Sequence, residues 1–593
     1  MPYRLRDTIA DTCHACIVDD VPAAELTAPE KGRPMTVSER FMPAAAMFAA
    51  CVPGILTTTI CGIVSLVAAR TAPAEDLYSV VPGEVVNPDI VWSKLIPVVG
   101  SEITILARVR GSGQHPVDVQ FSLRTPGGPE FTLAAGPRTQ QTQDSGFIEY
   151  EAQWKPSKTG LYSLTIDVDP QRKTNDSVRS NNSASVTIPV TWQELHILAW
   201  GQKKRSKWIT TAVPAGMSGR PEDPSAKEVA YWHRRGSLVL GYMYTREQNL
   251  ARLSEEQMTS IIVKRADEFA ASGCDGLIID ETGSYATPNG LEYIRRFGAA
   301  YAKVREKHPH LRVYNWIAGP MHIQELENAR KNGHILMAES YEAIHARFTP
   351  TFEKFLKRRF ERLETVFGSG LQSGGLIALG LGGDGGRPYR PQIESSVRLC
   401  RRLGPIAPGI CWYGGPADAG QTDYEGSFEE FLDRLTMEYF IKPVLSVDES
   451  DVLMTNYTPV LGEEVPIQIR VHNIGGMRAR GVGVRLYVRN HATSRRTLLA
   501  TDRIPEIGNG MEDITDDDLT LIDHKVIDGT RYSASRLGDT LRVLKGRALM
   551  NAIWTPRQAG YYSLEVELQP AESHTILAGF ATRTVPVVDR HSE

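Results

Sequence analysis

Gly276-Leu277-Ile278-Ile279-Asp280-Glu281 is the stretch on which the reading of this chain turns. The apolar residues run without alternation and stop abruptly at two adjacent acids. An unbroken run of this length suits a strand covered on both faces, as in a parallel sheet wrapped by helices. Seven further runs of the same kind lie at 195–200, 209–213, 237–242, 312–317, 334–338, 376–381 and 409–413, which makes 276–280 the fourth of eight. Amphipathic helical patterns separate them, as at 256–271, 291–307 and 352–366. Strand-then-helix units in this number predict a central (β/α)8 TIM barrel over 194–441. The second unit is the tightest, because Pro221 and Pro224 leave little room for a helix before Ala226.

Barrels of this kind place their chemistry at the C-terminal ends of the strands. The residues expected there are Trp200 after the first strand, Tyr242 and Tyr244 at the third, Asp280 and Glu281 at the fourth, and Asn315 and Trp316 at the fifth. The sixth contributes Glu339 and Tyr341, the seventh Asp384 within 382–386, and the eighth Trp412 and Tyr413. Carboxylates and aromatic rings thus converge on one rim. Glycoside cleavage asks for that set: two carboxyl groups flanking the scissile bond, and aromatic faces for pyranose rings. Side chains alternate along a strand, so Asp280 is expected to point over the mouth while Glu281 flanks it. Glu339 stands two strands further round. A pair across that gap falls at about 5–10 Å, which spans both the retaining and the inverting spacing. The plain alternative for each acid is the cap of the following helix, and for Asp384 a turn in a glycine-rich loop. Lys203, Lys204 and Arg205 read as a solvated loop.

Other chemistries find little support. A metal-dependent barrel would carry a His-x-His on its first strand, whereas His196 stands alone there, and His308 and His310 precede the fifth strand at the wrong end. No strand ends in the serine or cysteine elbow of acyl transfer. Cys13 and Cys16 form a lone C-x-x-C, and the acidic run 512–518 lacks the register of a calcium loop. Neither a metal nor a cofactor is expected.

With these residues in view, the middle of the chain resembles a glycoside hydrolase barrel. The Leu277-Ile278-Ile279-Asp280 strand end is similar to the G-x-x-x-D strand ends of α-galactosidase-like and dextranase-like enzymes. That resemblance implies Asp280 as nucleophile and Glu339 as acid/base. The chain departs from the plant-type retaining β-glycosidases, which put Asn-Glu at strand four and Glu at strand seven; here the seventh strand runs into Gly382-Gly383-Asp384.

The barrel is bracketed by a repeat. Trp154-Lys155-Pro156 and Gly160-Leu161-Tyr162 return at a constant offset of 400 as Trp554-Thr555-Pro556 and Gly560-Tyr561-Tyr562. Alternating strand patterns precede each copy, at 103–109 and 465–471, and at 117–123 and 482–488. Period-two runs between Gly/Pro turns predict β-sandwiches, with Trp154 and Trp554 as core residues. Both copies resemble the CARDB-like immunoglobulin-fold modules of exported bacterial proteins. The expected plan is multidomain: a leader 1–78, an immunoglobulin-like sandwich 79–193, the barrel 194–441, and a second sandwich 442–593 with an insertion.

Within the leader, Phe41 to Ala69 carries no charged residue and no histidine, and Ala72-Pro73-Ala74 follows as a cleavage pattern. Export is the expectation, by a cleaved signal or with the segment retained as a membrane anchor. For the chain as a whole, 593 residues at roughly 150 per domain point to three or four domains. A net charge of −4 argues against a nucleic-acid partner, and 7 cysteines are too few for a disulfide scaffold. Carbohydrate is the expected partner. Two functions stay open at this point: an exported two-carboxylate glycosidase, and a non-catalytic glycan-binding or scaffolding protein built on a degenerate barrel.

Overall fold

The computed structural model describes residues 78–79, 89–111, 117–137, 147–176, 178–200, 206–214, 223–245, 250–280, 282, 290–317, 322–339, 350–367, 375–380, 390–403, 409–413, 427–508, 547–569, 571 and 574–589. The apolar segment 41–69, the four N-terminal cysteines and the acidic run 512–518 lie outside them. Among the described residues, no helix is long and apolar enough to cross a membrane.

Eight parallel strands form the middle of the molecule: β1 (His196–Trp200), β2 (Thr211–Val213), β3 (Leu238–Tyr244), β4 (Gly276–Asp280), β5 (Arg312–Ile317), β6 (Ile335–Glu339), β7 (Gly375–Gly380) and β8 (Gly409–Tyr413). Each pairs with the next, and β8 returns to β1 with His196 opposite Gly409 and Ala199 opposite Trp412, so the barrel closes. Seven helices follow β2 to β8 in turn: α1 (Ala226–Arg234), α2 (Glu255–Ala271), α3 (Gly290–Lys307), α4 (Ile323–Asn332), α5 (Pro350–Phe367), α6 (Arg390–Leu403) and α7 (Phe428–Thr436). Helix α1 does form in the tight second unit. It starts directly behind Pro224 because Ser225 caps it, accepting from the Glu228 N–H while the Glu228 carboxylate returns to the Ser225 N–H. Capping boxes of the same design, Ser254 with Gln257 and Ser427 with Glu430, start α2 and α7.

The departure lies in the first unit, where no helix separates β1 from β2 among the described residues. The chain is held there by Asp433 of α7, which accepts from the Ser206 hydroxyl at 2.5 Å and from the Lys207 N–H at 2.8 Å. Burial pushes the Asp433 carboxyl up to about 6.

Two apolar layers hold the barrel together. Leu198, Leu240, Ile278, Tyr314, Met337 and Cys411 fill its interior. Their strand neighbours, such as Ile197, Val239, Leu277, Val313 and Leu336, face outward onto the helices. Gly241 lies on that outer face where α2 comes closest: any side chain would meet the Phe269 ring at 2.1 Å.

The flanking segments are each two packed sheets, antiparallel except where Val444–Ser446 runs parallel to Thr575–Ala578 in the second segment. In the first, strands Ile103–Gly111 and Phe147–Trp154 face strands Val119–Arg124, Gly160–Val168 and Ser183–Val190. In the second, Val465–Asn473 and Arg547–Trp554 face Ala479–Asn490, Arg496–Ile507, Gly560–Gln569 and Phe580–Val587. The sequence repeat is a packing repeat. Trp154 meets Tyr162 edge-on at 4.9 Å, and Trp554 meets Tyr562 at 5.2 Å. The Tyr162 hydroxyl donates to the Lys158 carbonyl and the Tyr562 hydroxyl to that of Gln558, both at 2.9 Å. Gly160 and Gly560 open the following strand at φ +143° and +132°, where a β-carbon is strained.

Both sandwiches bear on parts of the barrel away from the strand C-termini. The Leu95 N–H donates to the Gly236 carbonyl just before β3, and Glu194 pairs with Arg312 at the start of β5. Arg401 of α6, fully buried, reaches the Ile474 carbonyl of the second sandwich. The sandwiches also touch each other: the Trp192 N–H donates to the Gly476 carbonyl, and the Arg478 guanidinium lies 4.6 Å over the Trp192 ring.

Candidate active site

Alternation carries the interior layer upward to the rim. Two residues beyond Leu198, Leu240, Ile278, Tyr314, Met337 and Cys411 stand Trp200, Tyr242, Asp280, Trp316, Glu339 and Tyr413, and these six therefore project into the mouth. Tyr244, two further along β3 and level with Asp280, shares that face. Strand β6 runs one residue further than the sequence suggested, so Glu339 is a strand residue with its direction set by the ladder.

The mouth is built around Trp200. Its ring meets Tyr242 at 5.0 Å, Tyr413 at 5.0 Å and Trp316 at 5.5 Å, all edge to face. Trp200 is 3% exposed and Trp316 1%, so these two form the floor rather than open platforms. Tyr242, Tyr244 and Tyr413 are half-buried and present the accessible aromatic surface. Two carboxylates emerge from this floor, both half-buried, each held by an aromatic donor. The Tyr242 hydroxyl donates to Asp280 Oδ2 at 2.8 Å, and the Trp316 indole N–H donates to Glu339 Oε2 at 2.9 Å. One aromatic cluster thus fixes both acids.

Two residues expected at the rim are elsewhere. Trp412 is fully buried on the outer face of β8, and its indole N–H points to Thr436 Oγ1 on α7 at 3.3 Å. Asn315 faces outward from β5, with its amide 3.1 Å from His334 Nδ1. The pleat explains both: each neighbours a residue that faces inward, so neither is a substrate contact. Glu281, Tyr341 and Asp384 lie outside the described residues. Among the described residues, no group of three or more His, Cys, Asp or Glu side chains is arranged to hold a metal ion.

Behind the rim lie three polar residues: Thr282, which follows the acids of the fourth strand, and Glu325 and Arg359, which the sequence did not single out. Thr282 donates through its hydroxyl to Glu325 Oε1 of α4 at 3.1 Å and through its N–H to the Trp316 carbonyl at 3.0 Å. Arg359 of α5 donates to the carbonyls of Ile317 and Glu339. Burial drives the Glu325 carboxyl up to about 8, against the opposing pull of the Thr282 hydroxyl, the His322 backbone and the Arg359 charge. A signal for Arg359 was present. It shares the stripe of Leu356, Phe360 and Leu363 at i, i+3, i+4 and i+7, the buried face of an amphipathic helix.

No protein-family model matches the chain, and no curated protein matches it in sequence. Solved structures similar to it include a CARDB domain from Pyrococcus furiosus crystallised with two metal ions, at 17% identity and a TM-score of 0.16 over 25% of this chain and 91% of that one. A cycloisomaltooligosaccharide glucanotransferase from Paenibacillus sp. in complex with cycloisomaltoheptaose covers 86% of this chain and 72% of its own, at 10% identity and a TM-score of 0.28. Sph3 of Aspergillus clavatus in complex with GalNAc covers 38% of this chain and 85% of its own, at 16% identity and 0.25. Likenesses this distant carry no argument about activity, which has to come from the rim itself.

Proposed function

We propose that this protein is an exported glycoside hydrolase that cleaves a poly- or oligosaccharide with Asp280 as nucleophile and Glu339 as acid/base. The observation that carries the reading is the pair of carboxylates on β4 and β6, facing one mouth and held by Tyr242 and Trp316 of one aromatic cluster. An indole N–H donates and cannot accept. A proton carried by Glu339 is therefore best placed on Oε1, the oxygen away from Trp316, from which it passes to a departing glycosidic oxygen. The Tyr242 hydroxyl fixes the rotation of the Asp280 carboxylate for attack at the anomeric carbon. The half-buried Tyr242, Tyr244 and Tyr413 supply the apolar faces that a pyranose ring needs.

The test is a panel of neutral, uronate and amino-sugar polysaccharides, with released sugars followed by chromatography. Wild-type protein releases product from at least one, and Glu339→Gln binds the same polysaccharide without releasing it. Binding without release by the wild type would transfer the protein to the non-catalytic glycan-binding reading. Export rests on the apolar segment 41–69 and Ala72-Pro73-Ala74. Recovery of the protein from the cytoplasmic fraction with residues 1–78 intact would reject it.

A further inference from the structure

The mouth places its two carboxylates on strands that are not neighbours, with β5 between β4 and β6. Their spacing depends on how three strand ends are held. The ladders between these three strands stop one residue short of each acid, although β3 and β7 still pair with Asp280 and Glu339 from outside. The β5–β6 ladder ends at Ile317 opposite Ala338, one residue short of Glu339. The Arg359 guanidinium takes up this position from the helix side, donating from one nitrogen to the Ile317 carbonyl at 2.9 Å and from the other to the Glu339 carbonyl at 2.5 Å. A planar, rigid fork thus replaces the missing rung, joining the strand of Trp316 to the strand of Glu339, whose side chains are themselves hydrogen-bonded.

On the other side, β4 leaves the sheet through Thr282. Its N–H donates to the Trp316 carbonyl and its hydroxyl to Glu325 Oε1. Glu325 and Arg359 lie on consecutive helices, each all but fully buried, and feel each other's charge. Buried polar side chains cost desolvation, and apolar residues of similar size often serve stability as well or better. Directional hydrogen bonds to carbonyls and hydroxyls are what an apolar replacement cannot supply.

We propose that Arg359 and Glu325 are positioning residues that set the spacing of Asp280 and Glu339 from behind the barrel wall. The inference rests on the glycosidase reading for its kinetic consequence and on geometry alone for its structural one.

The experiment uses the full chain with its tryptophan indoles labelled with 15N, the Trp316 resonance being assigned by its loss in Trp316→Phe. That resonance reports the hydrogen bond to Glu339. In Arg359→Met it moves upfield and broadens, while kcat on the cleaved polysaccharide falls ~10- to 100-fold with KM changed less than about threefold. Arg359→Lys, with a charge but no fork, lies in between. Glu325→Gln keeps an acceptor for Thr282 and loses less than about tenfold. An unmoved Trp316 resonance in folded Arg359→Met overturns the proposal. Should that variant fail to fold, an unmoved resonance in both Arg359→Lys and Glu325→Gln overturns it equally. If the wild type cleaves no polysaccharide, the glycosidase reading falls and the resonance still decides the positioning role.

Discussion

At the closed end of the barrel, His196 and Tyr314 meet inside the strands, Nδ1 to hydroxyl 3.0 Å, with both rings buried. At the open end, Asp280 and Glu339 hang half-buried from the same wall, each accepting from an aromatic donor. Both ends are polar and both are paired. They differ in access and in charge. Burial drives the closed-end groups to their neutral forms, His196 down to about 4 and Tyr314 up to about 12. The open end keeps two acids in partial contact with solvent above a floor of aromatic rings. A polar group inside a barrel is therefore not by itself a site; a site needs acids that a ligand reaches and that the wall holds still.

The sharpest way to break this contrast is to exchange function between the ends. Asp280→Asn and Glu339→Gln each lower turnover ~10³-fold or more without changing the melting temperature. A comparable loss in Tyr314→Phe, with those two variants unaffected, would move the chemistry to the wrong end. Next come the two faces of the wall. Trp412→Ala removes a ring wedged between β8 and α7 and costs about 3–5 kcal/mol of stability in denaturant unfolding. Trp316→Phe keeps the floor filled, removes the donor to Glu339, and lowers kcat by ~10-fold. If Trp412→Ala unfolds like the wild type, the outward orientation of that ring is wrong.

Acidity separates the regions more gently. His196 and His334 have folded values of about 4 and about 3, below the ordinary 6.5. Their neutral burial contributes stability that is complete above pH 6.5 and lost as the pH falls toward 4. Glu325 acts in the opposite sense. Its folded value of about 8 exceeds the ordinary 4.5, so its contribution is complete below pH 4.5 and lost as the pH rises through 8. Each limb amounts to on the order of 1–3 kcal/mol. Between pH 4.5 and 6.5 the two effects oppose each other, and from 6.5 to 8 the Glu325 loss continues without the histidine gain. In melting curves across pH 4–9, Glu325→Gln therefore steepens the rise of the melting temperature below pH 6.5 and flattens its fall above it. A flattened acid limb in that variant would contradict the assignment. The smallest effect belongs to Tyr314→Phe, which costs ~1 kcal/mol at the closed end and leaves kcat where it was.

Much of this plan could be read from residue patterns because single positions carry single physical duties. The Trp, Gly and Tyr of the repeat became a core ring, a positive-φ turn and a hydroxyl returning four residues, twice over. Short apolar runs became barrel strands because strands covered on both faces need no alternation. The rim was only half legible. Asn315 beside Trp316 and Trp412 beside Tyr413 were both counted as mouth residues, although the pleat lets only one of each pair face inward. Which one depends on register and closure, which composition does not encode. Trp316 was recognised as an aromatic, yet its use as a donor to Glu339 emerges only when β5 and β6 are side by side. Arg359 and Glu325 were missed because charged residues on helices pass for solvent-facing ones until the apolar stripe around them is noticed.

The central claim, that sugar is bound and cut at the open end, is tested most directly by a crystal structure of Glu339→Gln with a bound oligosaccharide. The account predicts a pyranose ring in the mouth, against Tyr242, Tyr244 or Tyr413, with its anomeric carbon facing the Asp280 carboxylate. An oligosaccharide bound only on the flanking sandwiches, with the barrel mouth empty, would contradict it.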